Sequence, residues 1–128
     1  MRLVDENLII YNLIVGFMKR VEAVISNDKL TAVIEALKKT GVGGITVFNA
    51  RGWGRASRLA QIKKNADEND LDPKSYLLSV VDDSLVDKVI SVILDNASTG
   101  SPGDGKIFVD TIETAVDIGS RQKGIHAI

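Results

Sequence analysis

The chain has 128 residues, 45% apolar and 26% charged, a composition that suits one globular domain and excludes a disordered or fibrous protein. Sixteen basic residues against seventeen acidic ones leave a formal charge of −1, so we do not expect nucleic acid among its partners. The sequence has no cysteine and one histidine, His126, which argues against disulfides, thiolate metal sites and histidine-based catalysis.

Residues 1–17 come before the first regular pattern. The uncharged stretch 7–18 is too short to span a bilayer, which takes about 20 residues. Asp5 and Glu6 are unlike the start of a signal peptide. We expect a cytoplasmic protein with an extension at 1–17 and a domain at 18–128. We expect this extension to pack on the domain or on a partner subunit; the alternative is that synthesis starts at Met18.

The first half of the domain predicts a strand, a helix and a second strand. Apolar and charged residues alternate over 18–25, which is typical of a strand. Asn27 and Asp28 are helix-capping residue types, and apolar residues follow at helical spacing over 30–37 until Gly41. A second strand is predicted over 45–50.

Residues 55–73 form an unusually long insertion. They carry four basic and four acidic residues and little apolar material. A loose helix over 57–66 is compatible with this stretch, but no strong apolar face supports it. Long connections in compact domains are usually functional or mobile.

The second half repeats the order of the first. Strands are predicted over 75–81 and 107–112, and Asp82 and Asp83 cap a helix with an apolar face over 85–93. Two strand–helix–strand halves predict an α+β, ferredoxin-like domain: an antiparallel four-stranded sheet with both helices on one face. The other face is predicted to be too apolar to stay exposed to water, so we expect oligomerisation. The residues that indicate this are Val21, Ala23, Ile25, Val47 and Phe48.

The loop before the last strand is the segment richest in chemistry. Gly100 to Lys106 fits part of a P-loop, but Ile107 and a strand follow where Ser or Thr and a helix are required. Its three glycines can still form a nest of N–H groups for an anion, beside the Lys106 cation. A tight turn is the alternative, although it does not easily explain three glycines and a lysine. Residues 51–55 (RGWGR) also permit a phosphate contact, but alone they read as a simple strand exit.

Three stretches together resemble the PII signalling family of nitrogen regulators: KLTAVIEALKKTGVGGITVFNARGWGR, VVDDSLVDKVISVILDNASTGSPGDGKIFV and IETAVDIGSRQKGIHAI. The resemblance covers 18–128. It implies a non-enzymatic homotrimer that binds ATP, ADP or AMP in clefts between subunits. It also implies that a T-loop, here 55–73, engages a transporter or metabolic enzyme, and that a B-loop, here 101–106, holds the phosphates.

The resemblance carries over to individual residues. Adenine contacts are implied for Val24, Thr46 and Val80, and phosphate contacts for Gly103, Asp104, Gly105 and Lys106. The exit motif beside the nucleotide corresponds to Gly52, Gly54 and Arg55, with Trp53 where the family has Phe. Lys74 is implied to reach a terminal phosphate or an acidic ligand. Lys63 and Lys64 lie near the position of an arginine with which the family plugs ammonium channels.

The sequence also departs from the family pattern. Ala56 stands where the family has a glutamine that takes part in binding magnesium and 2-oxoglutarate, and alanine cannot coordinate a metal. Asp117 and Gly119 stand where the family has two phosphate-binding arginines. Their loss should weaken the binding of ATP more than that of ADP or AMP, although Arg121 or Lys123 could partly compensate. We expect no metal site and no tightly bound cofactor, with magnesium uncertain and 2-oxoglutarate doubtful. Uridylylation of a tyrosine is excluded within 55–73, where Ser57 is the only hydroxyl.

Two other functions stay open. The departures also suit a PII-like sensor of bicarbonate or a cyclic dinucleotide that regulates a transporter or carbon metabolism. The remaining alternative is a slow nucleotide hydrolase that uses Lys106 and a carboxylate such as Asp104.

Overall fold

The computed structural model describes residues 6, 7, 18–64 and 71–128, and of residues 60–64 it describes the backbone alone. The strands are β1 Met18–Ile25, β2 Thr46–Gly52, β3 Asp72–Asp82 and β4 Gly105–Ile112. The helices are α1 Leu30–Leu37, α2 Arg55–Lys64 and α3 Val86–Ala97. Short 3-10 turns lie at Asn27–Lys29, Asp83–Leu85 and Gly124–Ala127.

The four strands form one antiparallel sheet in the order β2-β3-β1-β4. Helices α1 and α3 contact each other and cover one face of the sheet. This is the ferredoxin-like α+β fold expected from the order of the elements. No described helix is long and apolar enough to cross a membrane.

The core lies between the sheet and the two helices. Every second residue of β1 and β3 points into it, because side chains of a strand alternate between the two faces. The fully buried members are Val21, Ala23, Ile25, Leu77 and Val81 of the sheet, with Val33, Leu37, Val89 and Ile93 of the helices. Burying an aliphatic side chain of this size stabilises a fold by about 1.5–3 kcal/mol.

The structure corrects the composition expected for the open face of the sheet. Val21, Ala23 and Ile25 are at most 2% exposed because they lie beneath the helices. Val47 pairs with buried Leu77 and therefore shares the helix-covered face. Of the five residues that predicted an apolar open face, Phe48 alone lies on it.

The open face is instead mixed in character. The Arg20 guanidinium lies 2.7 Å from Oδ2 of Asp110 and 2.7 Å from Oε1 of Glu22. Tyr76 donates to the Glu22 carboxylate, an interaction that raises the pKa of Tyr76, and the Phe48 ring stacks on Tyr76 at 4.7 Å. The open face thus carries an aromatic pair beside an ion-pair cluster.

Several boundaries differ from those expected, and two of the differences lie next to the glycine loop and the insertion. The insertion is helical over its first ten residues, where α2 follows β2 after two residues. β4 begins at Gly105 rather than at residue 107, because the last glycine of the loop already pairs with Ile25 of β1. The glycine loop and the insertion are thereby anchored at the same end of the sheet.

Candidate functional site

The glycine loop and both ends of the insertion meet at Gly103. Lys74 Nζ donates to the Gly103 carbonyl oxygen at 2.8 Å, and Ser26 Oγ donates to the same oxygen at 3.3 Å. A Cβ placed on Gly103 would lie 3.0 Å from the Cβ of Ala56, in the first turn of α2. The start and the end of the insertion therefore both contact the predicted phosphate loop.

Backbone conformation explains the glycines of this loop. Gly100, Gly103 and Gly105 have φ angles of +81°, +99° and +115°, a backbone conformation that residues with a side chain rarely adopt. At Gly105 a Cβ would also lie 1.7 Å from the carbonyl oxygen of Val24. The loop thus turns sharply and comes into direct backbone contact with β1.

Asp104 shapes the loop from within. Its Oδ2 accepts backbone N–H bonds from Thr99 at 2.7 Å, Gly100 at 2.9 Å and Ser101 at 3.2 Å. Its Oδ1 accepts from the Thr99 hydroxyl at 2.6 Å. These bonds, the hydroxyl of Thr99 first, lower the pKa of Asp104. The carboxylate therefore occupies the N–H nest at the start of the loop, and Asp104 has a structural role that residue types alone did not reveal.

The other residues implied for the nucleotide are spread across the sheet. Val24 pairs directly with Lys106 of β4, next to the glycine loop. Thr46 pairs with Leu78 and lies on β2, the opposite edge strand. Three strand spacings, about 14 Å, separate these edges. One chain therefore does not close a site around Thr46 and Lys106.

Val80 and the exit motif are the remaining residues implied for the nucleotide site. Val80 pairs with Arg20 and lies nearer the far end of the sheet. Gly52 pairs with Asp72, and a Cβ on it would meet Cγ of Lys74 at 3.8 Å. Gly54 has open space around it among the described residues, and Arg55 begins α2 with its side chain exposed.

The base of the insertion contains contacts that sequence reasoning missed. Buried Ser57 donates to the carboxylate of Asp72, which joins the first turn of α2 to the first residue of β3. Arg58 places its guanidinium 5.2 Å from the ring centroid of half-exposed Trp53. The only available signal was that Ser57 is the single hydroxyl in the segment. Lys63 and Lys64 belong to α2, but their side chains lie outside the described residues, as do residues 65–70.

The two departures near the C-terminus lie in a short hairpin, residues 115–124. Val116 and Lys123 pair across it, and Gly124 N–H donates to the Ala115 carbonyl at 2.9 Å. The Asp117 carboxylate accepts the hydroxyl of Ser120 at 2.7 Å and its N–H at 2.9 Å, which lowers the pKa of Asp117. Ile118 at the tip is 94% exposed.

No group of three metal-ligating side chains occurs in the described part of the chain. Glycine backbone, Lys106 and Lys74 lie at one end of the sheet, and groups of these types suit an anion. The phosphate and adenine contacts of the individual residues stay predictions.

The chain is similar over most of its length to known proteins. A family model described as Nitrogen regulatory protein P-II matches residues 18–122. The chain is 43% identical over 112 residues to proteins named Nitrogen regulatory protein P-II from Bradyrhizobium diazoefficiens and Azospirillum brasilense, covering 87% of this chain and 100% of each relative. A solved complex of B. subtilis GlnK with ATP superposes with a TM-score of 0.70 at 28% identity, over 88% of this chain and 99% of that one.

Proposed function

Since this chain belongs to the P-II family of nitrogen regulatory proteins, we propose that it is a homotrimeric, non-enzymatic sensor of adenine nucleotides in the cytoplasm. ATP, ADP or AMP binds between subunits, and residues 55–73 pass the bound state to a partner protein in nitrogen metabolism. The partner is a transporter such as an ammonium channel, or a metabolic enzyme.

The observation that carries this proposal is the meeting of three segments at Gly103. Lys74 reaches the Gly103 carbonyl at 2.8 Å, and the Ala56 methyl lies 3.0 Å from where a Cβ on the same glycine would stand. A phosphate group at the loop would compete with that carbonyl for the Lys74 ammonium. Ligand binding can thereby change the contacts at both ends of the insertion, and a shape that binds the ligand better becomes more populated.

The division of the site between two sheet edges supports a trimer. Thr46 lies on the β2 edge and Lys106 on the β4 edge. A contact between two different surfaces of one chain is heterologous and closes into a ring when its rotation permits. In such a ring, the β2 edge of one copy lies beside the β4 edge of the next and completes the nucleotide cleft. The likeness to the GlnK–ATP complex supports a nucleotide as the ligand.

The expected preference is for ADP or AMP over ATP. A lost arginine–phosphate contact costs about 1.5–3 kcal/mol, or roughly 10- to 150-fold in affinity. Asp117 and Gly119 supply no such contact, and only ATP has the outermost phosphate. Ala56 offers no ligand to magnesium, so we expect a weak response to magnesium and 2-oxoglutarate.

Calorimetric titration with ATP, ADP and AMP tests the proposal, each with and without magnesium and 2-oxoglutarate. Lys106→Ala should lower the affinity for every nucleotide at least about tenfold, because a charged contact to phosphate is lost. Lys39→Ala, at an exposed lysine in the turn after α1, is the matched control and should bind as the parent does. Absence of binding at millimolar nucleotide to the folded parent protein would refute the proposal.

Ala56, Asp117 and Gly119 also favour a second candidate, a P-II-like sensor of bicarbonate or a cyclic dinucleotide. Titration with those ligands distinguishes it: binding there, without adenine nucleotide binding, would replace the first proposal. Slow nucleotide hydrolysis is tested in the same samples. Phosphate release that Lys106→Ala abolishes would contradict a purely regulatory role, whereas release that persists in the variant indicates contamination.

A further inference from the structure

A side-chain hydrogen bond joins the two ends of the insertion to each other. Ser57, the third residue of α2, donates its hydroxyl to the carboxylate of Asp72, the first residue of β3. Ser57 is 7% exposed, whereas Asp72 lies at the surface. A hydroxyl buried to this degree is costly to leave without a partner, so the bond holds the first turn of α2 against the start of β3.

This bond completes a closed circuit of contacts with the glycine loop. Asp72 and Lys74 are two residues apart on β3, so their side chains lie on the same face of the strand. Lys74 donates to the Gly103 carbonyl at 2.8 Å, while Asp72 accepts from Ser57. On the other side of the circuit, the methyl of Ala56 lies 3.0 Å from where a Cβ on Gly103 would stand. The glycine loop therefore approaches both ends of the insertion, and the hydrogen bond ties these ends together.

The Asp72 carboxylate also supplies a charge that the first turn of α2 lacks. That turn contains no acidic residue of its own, and it closes with the bond from Arg58 N–H to the Gly54 carbonyl at 2.9 Å. A negative charge near the N-terminus of a helix stabilises the helix, because the helix dipole is positive there. The contact between Ser57 and Asp72 therefore supports the helical state of the first turn and fixes its position.

We propose that the Ser57–Asp72 bond is the link through which the state of the glycine loop reaches helix α2. Both are positioning residues, since they act through the ends of the insertion and are not among the proposed nucleotide contacts. With the bond intact, a ligand that draws Lys74 away from Gly103 shifts β3 and α2 together, because the contacts are contiguous. With the bond broken, the start of β3 moves and leaves α2 in place. The inference rests on the proposed function and adds to it the residue pair that passes on the nucleotide signal.

Hydrogen exchange of the full chain without nucleotide tests the bond itself. Ser57→Ala removes the hydroxyl and leaves the exposed Asp72 carboxylate to water, so the variant should fold as the parent does. Exchange over residues 58–64 should be about tenfold faster, since a hydrogen bond to a charged group contributes that much, and exchange over 76–81 of β3 should not change. Ser57→Thr keeps the hydroxyl and should restore the parent rate. Ser91→Ala, at an exposed serine of α3, is the matched control. Equal exchange over 58–64 in Ser57→Ala and the parent would overturn the proposal.

Saturating ADP, added to the same proteins, tests the link between ligand and insertion. In the parent, ADP should change the exchange rate over 58–64, and in Ser57→Ala that change should vanish. The affinity for ADP, measured by calorimetry, should stay within about twofold of the parent's, because Ser57 is not a proposed nucleotide contact. Trp53 is the single tryptophan of the chain and lies 5.2 Å from the Arg58 guanidinium, so its emission gives a second signal. A change of this emission on ADP binding should likewise be lost in Ser57→Ala.

The two measurements separate the link from the proposed function. An equal ADP response in Ser57→Ala and the parent, with ADP bound to both, would refute the link and leave the proposed function standing. A folded parent that binds no adenine nucleotide would refute the proposed function and with it the passage of a nucleotide signal. In that case the exchange without nucleotide still decides whether the Ser57–Asp72 bond holds the first turn of α2.

Discussion

The tight approach of the glycine loop to β1 leads to a sharp expectation for Gly105→Ala. The new methyl carbon would lie 1.7 Å from the Val24 carbonyl oxygen and 2.8 Å from its carbon, both backbone atoms. Neither atom can rotate away as the end of a side chain can. The start of β4 must therefore move off β1, where Ile25 pairs with Gly105 and Val24 with Lys106.

Two contributions add to the expected loss of stability. An L residue at φ +115° costs about 1–3 kcal/mol in backbone strain. Two weakened ladder hydrogen bonds cost about 1 kcal/mol each. The sum, about 3–5 kcal/mol, is a large part of the 5–15 kcal/mol that typically stabilises a domain.

A series of glycine substitutions separates strain from collision. Gly100→Ala has a positive φ but open space, so it should cost about 1–2 kcal/mol. Gly54 has neither a positive φ nor a close neighbour among the described residues, so Gly54→Ala should be neutral or slightly stabilising. Urea unfolding followed by circular dichroism, at one protein concentration, measures all three variants. Equal unfolding midpoints for Gly105→Ala and Gly100→Ala would refute the collision argument.

Substitutions at three further positions test two contacts of the glycine loop and the cap before α3. Lys74→Met removes the 2.8 Å hydrogen bond to the Gly103 carbonyl, so it should destabilise the protein by about 1 kcal/mol and weaken nucleotide binding. It should also speed amide exchange at residues 101–104, and an exchange rate there equal to the parent's would contradict the contact. Asp104→Ala should speed exchange of the 99–101 amides about tenfold and leave that of β3 unchanged, because three N–H groups lose their acceptor, and Asp104→Asn should restore part of the protection. Asp82→Ala should cost about 1 kcal/mol, because the carboxylate accepts the Ser84 N–H at 2.9 Å and caps the turn before α3. That bond lowers the pKa of Asp82 in the folded state, so the difference from the parent should be full above about pH 4 and vanish as the pH falls through the folded pKa; a difference that persists in acid would contradict the cap.

The order of elements was accessible from the sequence because it depends on local periodicity. The alternation over 18–25 was confirmed, and so was the helical spacing over 85–93, most of which lies in the helix Val86–Ala97. The resemblance to the PII family was likewise carried by short contiguous stretches and was confirmed by the family match. The helix at 55–64 was weakly indicated, since it has no strong apolar face to produce a signal.

The open face of the sheet could not be assigned correctly from the sequence. Val21 and Phe48 are both apolar strand residues, yet one lies under the helices and the other on the open face. The register between strands decides whether the odd-numbered or the even-numbered residues of a strand face the helices, and a shift of one residue exchanges the two faces. Periodicity in one strand carries no information about that register.

By itself, the sequence determined the α+β element order, the position of the glycine-rich loop and the departures from the family pattern at Ala56, Asp117 and Gly119. Only the tertiary structure decided that Lys74 bonds to Gly103, 29 positions away, that Asp104 occupies the nest of its own loop, and that Thr46 and Lys106 lie on opposite sheet edges. Periodicity and motifs are properties of neighbouring residues. Contacts between distant loops depend on strand pairing, which only the folded chain sets.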